Sequence, residues 1–252
     1  MKIISLNIWG GILRTSLCKF LKKYSPQVDF FCLQEVYSSP IPETNQKGMH
    51  FDIYTQIEKI LPNHLGYFSP SYQVDTIGKS DLKILTGLAI FVKKSIPIKE
   101  HDEIFIYRNK SFKPINNFQT APRNLQFVTF VNKNIDYILC HFHGIWHPKT
   151  KVDTTERIEQ ANIIKQFLNR YKDRVILCGD FNLLPDTKSI SILEKGMRNL
   201  IKEYNIKTTR NQHYKREEKF TDYIILSPEI PIRSFQVIQD TVSDHLPLLL
   251  EI

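Results

Sequence analysis

The sequence predicts an α/β protein in which two β-sheets pack face to face and helices cover the outside. Three observations carry that expectation. β-rich apolar runs alternate with segments of helical period along the 252 residues. A strand, a helix and a second strand follow one another within residues 2–33. Several apolar runs also end abruptly in polar groups, and layered α/β folds place their chemistry just past the carboxyl ends of buried strands.

Residues 2–8 (KIISLNI) alternate and are β-rich, a first strand that reaches Asn7 before the Gly10-Gly11 turn. Leu13, Leu17, Phe20 and Leu21 recur at helical spacing, and Ser25-Pro26 stops that helix. Residues 28–33 form a second buried strand, closed by Gln34-Glu35. A Ser/Pro-rich loop occupies 37–47, and Ile53, Ile57 and Ile60 mark one face of a helix over 52–61. Strands at 67–72 and 87–92 flank a polar loop at 75–83, and a short strand at 104–107 follows. A long loop with Arg108, Lys110 and Lys113 leads to strands at 125–131 and 135–142, joined by a turn at Asn132-Lys133-Asn134. Asp153-Thr154-Thr155-Glu156 reads as a capping box that opens a helix with Ile158, Ala161, Ile164 and Leu168 on its core face. Asp173-Arg174 then turns into the stretch VILCGDFN at 175–182, a buried strand that delivers Asp180 and Asn182 on one face while Phe181 packs on the other. A helix over 187–195, a basic polar loop over 207–219 and strands at 221–226, 235–238 and 246–252 complete the chain. Repeats, low-complexity tracts and shifts of composition are absent, so a single domain over 1–252 is expected.

A hydrophobic fraction of 42% beside 24% charged residues excludes general disorder. The net charge of +8 favours an anionic partner: nucleic acid, a phosphorylated small molecule or an acidic lipid head group. Cys18, Cys32, Cys140 and Cys178 are widely spaced, and the last three lie in apolar strands, which argues against a disulfide framework or a structural zinc site. No stretch is apolar enough to cross a membrane, and Asn7, Trp9 and Gly10-Gly11 break any signal-peptide core. A cytoplasmic monomer is expected.

Five strand ends present polar groups: Asn7, Gln34-Glu35, His141 with His143, Asp180 with Asn182, and Ser243-Asp244-His245. Asp222, inside FTDYIIL, makes a sixth. Hard oxygen ligands such as Glu35 and Asp244, without cysteine pairs, suit Mg²⁺ or Mn²⁺ rather than zinc. A histidine beside a buried carboxylate is oriented and held charged, and amides such as Asn7 and Asn182 can donate to phosphate oxygens. Together these are parts for metal-assisted hydrolysis of a phosphate ester.

The ordered set Leu6-Asn7-Ile8-Trp9-Gly10, Leu33-Gln34-Glu35-Val36, His141, Gly179-Asp180-Phe181-Asn182, Asp222-Tyr223-Ile224 and Ser243-Asp244-His245 resembles the endonuclease/exonuclease/phosphatase superfamily. DNase I, exonuclease III-type AP endonucleases, neutral sphingomyelinases, inositol polyphosphate 5-phosphatases and deadenylases belong to that group. The resemblance spans positions 7 to 245. It implies a four-layer α/β/β/α sandwich of two mixed sheets with outer helices, and a catalytic domain with its site at one end of the sheets. It further implies that Glu35 is the principal metal ligand with Asn7 and Asp244 beside it, and that Asp180 orients or deprotonates the attacking water. Asn182 would hold the phosphate, His245 paired with Asp222 would stabilise the transition state, and His141 would be a second phosphate-binding histidine. Arg123, in Pro122-Arg123-Asn124, falls where some members place an arginine at the substrate backbone. DNase I-like members pair the second histidine with a glutamate where this chain has Thr86 or Gly87.

His143 and His147 read as loop residues near the site. Trp9 and Trp146 read as rim residues, and an exposed Trp9 would stack on a base. The loop with Lys207, Arg210, Lys215, Arg216 and Lys219 reads as a solvated segment, with substrate gripping (Arg210) as the alternative. A Mg²⁺-dependent phosphodiesterase acting on DNA or RNA is the first expectation, and a lipid or small-molecule phosphoesterase the alternative. An inactive binding module on the same fold is disfavoured because all six motifs are intact.

Overall fold

Each of the two sheets is built around one parallel pair of strands, and those two pairs fix where the polar strand ends meet. The structure, a computed structural model, describes residues 1–74, 83–114, 120–171 and 174–252. In the first sheet, β1 (Lys2–Asn7) runs parallel to β2 (Phe30–Ser38), with Asn7 beside Gln34. A parallel pair needs a crossover, here α1 (Arg14–Tyr24), which buries Leu17, Phe20 and Leu21. α2 (Ile53–Ile60) follows, then β3 (His64–Val74) and β4 (Ile84–Lys93), both on the β2 side of the sheet. The second sheet begins with β5 (Ile98–Tyr107), β6 (Arg123–Asn132) and β7 (Ile135–His143). α3 (Thr155–Leu168) crosses over to β8 (Val175–Asp180), which runs parallel to β7 with His143 beside Asp180.

The chain continues through α4 (Lys188–Glu194), β9 (Arg198–Asn199), α5 (Leu200–Glu203) and β10 (Asp222–Leu226). It then returns to the first sheet with β11 (Ser234–Val237) and β12 (Leu248–Glu251), where β12 lies between β11 and β1. The sheet orders are β11-β12-β1-β2-β4-β3 and β5-β6-β7-β8-β10-β9, six strands each. Ile3, Phe30, Cys32 and Ile90 face the second sheet in one core, and Ile4, Phe31, Leu33 and Phe91 face the helices in another. Strands covered on both faces explain the continuous apolar runs. The four layers are those expected.

Two local devices aim the site, and a tight turn closes the far end of β6 and β7. Gly179 has φ 137, and a Cβ there would lie 2.1 Å from the carbonyl oxygen of Phe142, its parallel partner, so no side chain fits before Asp180. Glu35 has φ 57 and is the extra residue of a bulge between Gln34 and Val36, which turns its carboxylate out of the strand's alternation. The hairpin turn at Lys133 and Asn134 has φ 51 and 62, the geometry of a two-residue turn that matches strand twist.

Some boundaries differ from the expectations. β5 begins at Ile98, six residues before the expected 104–107, because the polar start of this edge strand has no apolar alternation to reveal it. The α3 cap is Thr154, which accepts from the Arg157 amide, while Asp153 caps α4 through the amides of Lys188 and Ser189. The buried face of α3 carries Arg157, Gln160, Ala161, Ile164, Phe167 and Leu168, and Ile158 is only half-buried. β9 and α5, short and unforeseen, cover the end of the second sheet. The expected polar loop at 75–83 lies outside the described residues except for its last position, and so does Asp173 of the turn before β8.

Candidate active site

The carboxyl ends of both parallel pairs open on one cavity of about 460 Å³, lined among others by Glu35, Asp180, Asn182, Asp244 and His245. Asn7 links the two sheets at its floor. Its amide donates to Glu35 Oε1 and to Asp180 Oδ2, each at 3.0 Å, so those oxygens are no further apart than twice that distance. Asn7 Oδ1 accepts from the Trp9 amide at 2.9 Å and keeps its second lone pair, and the side chain spaces the two carboxylates.

His245 Nδ1 lies 2.8 and 2.9 Å from the two oxygens of Asp222, whose Oδ2 also accepts from Thr209 and Thr221 at 2.8 Å. Nε2 then points at Asp180 and Asp244, 3.5 and 3.8 Å away. Burial and the Arg210 charge push the imidazolium toward losing its proton, but Asp222, Asp244 and Asp180 together overcome both and raise its pKa. Asp180 is fully buried, which raises its pKa. His245, His143, Arg210 and Lys151 outweigh that and hold the carboxyl well below the usual carboxylate range.

Arg210 sits deeper than a solvated loop residue. Nη1 donates to Asp244 Oδ2 at 2.7 Å, Nε donates to Thr221 Oγ1 at 3.0 Å, and Nη2 lies 3.9 Å from Asp180. Its guanidinium covers the ring of Tyr214 at 4.2 Å. Arg210 thus departs from the solvated reading of 207–219, while Lys207, Lys215, Arg216 and Lys219 are exposed as expected and Lys215 and Arg216 line the cavity. Arg123, the first residue of β6, Trp9 and Trp146 line it too, with Arg216 over Trp146 at 5.9 Å.

His141 does not reach the cavity. It is fully buried between Gln34 and Gln126, with Nδ1 3.3 Å from Gln34 Nε2 and Nε2 2.7 Å from Gln126 Oε1. Burial lowers its pKa to about 3, so it is a neutral tie between the sheets rather than a phosphate-binding histidine. His143, two residues further along β7 and on the same face, lies at the end of the strand, where the cavity opens. His143 lines the cavity with Nε2 3.6 Å from Asp180 Oδ2, a site position that sequence reading assigned to a loop. His147 accepts from the Lys149 amide within its own turn.

Sequence reading also missed Lys151. It is 2% exposed, lines the cavity and donates from Nζ to Asn182 Oδ1. Burial first, and then nearby cations, lower its pKa to about 8 against the opposing pull of Asp180. No motif flags it, because only the tertiary fold brings the loop after β7 over Asn182.

Asp180, Asp222 and His245 each offer an atom within 4.8 Å of the others, close enough to share an ion. The oxygens of Asp222 are already engaged by Thr209, Thr221 and His245, so that group is better described as a carboxylate–histidine pair. Glu35, Asp180 and Asp244 are the hard oxygen donors gathered around open space. Burial raises the Glu35 pKa, the Asn7 amide opposes this, and the Asp244 and Asp180 carboxylates raise it further, so a divalent cation fits this donor set.

This fold and site place the protein in the DNase I-like class of phosphoester hydrolases. The profile of the Endonuclease/Exonuclease/phosphatase family matches residues 4–245, and the chain belongs to that family. Members of the family hydrolyse phosphoesters and depend in general on a divalent metal. No curated protein matches the chain in sequence. A mannosyl-6-phosphatase of Bacteroides thetaiotaomicron superposes with TM-score 0.72 at 17% identity, covering 100% of this chain and 98% of that one. A humanized D. rerio TDP2 superposes with TM-score 0.70 at 19% identity, covering 99% and 97%. A family protein from Leptotrichia buccalis superposes with TM-score 0.71 at 18% identity, covering 100% and 99%. At such identities the likeness is one of fold.

Proposed function

We propose that the protein is a Mg²⁺- or Mn²⁺-dependent phosphodiesterase that cleaves nucleic acid by in-line attack of water on phosphorus. The observation that carries this reading is the cavity wall. A buried acidic floor is ringed by Trp9, Trp146, Lys47, Arg123, Lys215 and Arg216. Aromatic faces interleaved with cations are the chemistry of a strand whose bases stack and whose phosphates are neutralised.

Glu35 and Asp244 would hold the ion, which supplies Lewis-acid stabilisation of charge on the phosphoryl oxygens. Asp180, kept ionised by the cations around it, orients the attacking water and is too weak a base to remove its proton outright. His245, held protonated by Asp222, donates from Nε2 to a phosphoryl oxygen as charge develops there.

The size of the cavity supports a second reading, a small phosphorylated molecule, because about 460 Å³ lies within the range of small-ligand sites. One panel separates the two. Abasic duplex, plain duplex, single-stranded DNA, poly(A), sphingomyelin, a phosphoinositide and a sugar phosphate are offered with Mg²⁺, after EDTA treatment and after Mg²⁺ is restored. Cleavage of a polynucleotide that EDTA abolishes and Mg²⁺ restores is the expected result. Turnover of the sugar phosphate or a lipid alone would move the assignment to the second reading, and activity indifferent to EDTA would refute the metal.

A further inference from the structure

We infer that Lys151 is a side chain that grips the phosphate, and that Asn182 acts through Lys151 by holding it in place. The inference rests on the phosphoester reading above and names a binding residue for it.

The amide of Asn182 is held at both of its ends, with one N–H remaining. Its Nδ2 donates to the carbonyl of Gly144 at 3.3 Å, and its Oδ1 accepts from Lys151 Nζ. The partners fix which way the amide faces, since an ammonium can only donate and a carbonyl can only accept. Asn182 itself stands at φ 57, with its backbone amide on Asp180 Oδ1 at 3.0 Å, so the side chain is set by the turn after β8.

Lys151 is 2% exposed, lines the cavity and has no carboxylate within ion-pair distance among the described residues. A buried ammonium with one neutral partner and two donors remaining is an incomplete arrangement that an anion completes. The placement is also built. The Arg157 guanidinium, on the inner face of α3, donates to the carbonyls of Ile145 and Thr150 at 3.1 Å and to that of Val152, and Leu184 N donates to Lys151 O at 2.9 Å. Arg210, one of the other buried cations of the lining, is committed to Asp244 and Thr221.

The test is calorimetric titration of inorganic phosphate, with and without Mg²⁺, into the wild type, Lys151→Met, Asn182→Ala and the double variant. Melting temperatures are recorded alongside. Losing a charge-assisted hydrogen bond should weaken phosphate binding in Lys151→Met by about tenfold or more. The melting temperature should not fall, because a buried charge has been removed. Asn182→Ala should weaken binding less, and the double variant should bind no worse than Lys151→Met alone. Lys151→Gln replaces the Met variant if the latter does not fold. Phosphate binding unchanged in Lys151→Met, or losses that add in the double variant, would overturn the inference while leaving the phosphoesterase reading intact. A wild type that neither binds phosphate nor cleaves any ester of the panel would overturn both.

Discussion

Asp222 never touches the substrate in the proposed mechanism, yet it decides the charge of the residue that does. Its carboxylate takes hydrogen bonds from Thr209, Thr221 and His245, and it outcompetes the burial that would otherwise strip His245 of its proton. A histidine whose folded pKa is raised contributes stability below the pKa of a free imidazole, about 6.5, and loses it as pH rises through the folded value. The same proton is needed for catalysis, so the rate should fall on the alkaline side, above about pH 6.5. Asp222→Asn keeps the shape and removes the charge. Turnover should drop by about a hundredfold and the alkaline limb should move to lower pH, as loss of a charge-stabilising group does. A log kcat profile against pH for the two proteins checks both. The wild-type limb unmoved in the variant would mean that another group titrates.

At the scale of elements, the loop between β7 and α3 carries Trp146 and Lys151 over the site and is held to α3 by Arg157 and Gln160. Replacing Arg157 with Met leaves buried carbonyls without partners at about 1–3 kcal/mol each. The melting temperature should fall by roughly 5–10 °C for a chain of this size, and limited proteolysis should cut the loop first. A variant as stable and as protease-resistant as the wild type would show that the loop holds without Arg157. Lys151 and Arg157 also mark the border of what the sequence discloses. Asp180, Asp222 and Asp244-His245 follow or begin apolar strands, and a strand end is a local pattern that a reader can find. His141 and His143 share one face of β7, and which of them reaches the cavity depends on how far the partner sheet covers that face, which no local pattern shows. Arg157 at a core position of α3 and Lys151 in a loop have no periodic signature, since their partners are backbone carbonyls and one amide brought together by the fold. Strand β5 was half hidden for the related reason that an edge strand has only one neighbour to shape its composition.

At the scale of the molecule, the net charge of +8 becomes a directed one at the cavity mouth, where Lys47, Arg123, Lys215 and Arg216 stand. If each neutralises one phosphate of a single strand, log K should fall with log salt at a slope of about −3. Lys47→Ala and Lys215→Ala, both on the rim, should each lower that slope by about one unit. Equilibrium binding across a salt series in Ca²⁺, where cleavage is suppressed, measures it. A flat response would favour the small-molecule substrate.

The placement of β12 has one more consequence. It is among the last strands made, yet it lies inside the first sheet, between β11 and β1, and Asp244-His245 lie on the segment that leads directly into it. While the chain is still on the ribosome, Glu35 and Asp180 are already synthesised but their histidine is not. A growing chain therefore lacks the complete site until β12 takes its place between β11 and β1.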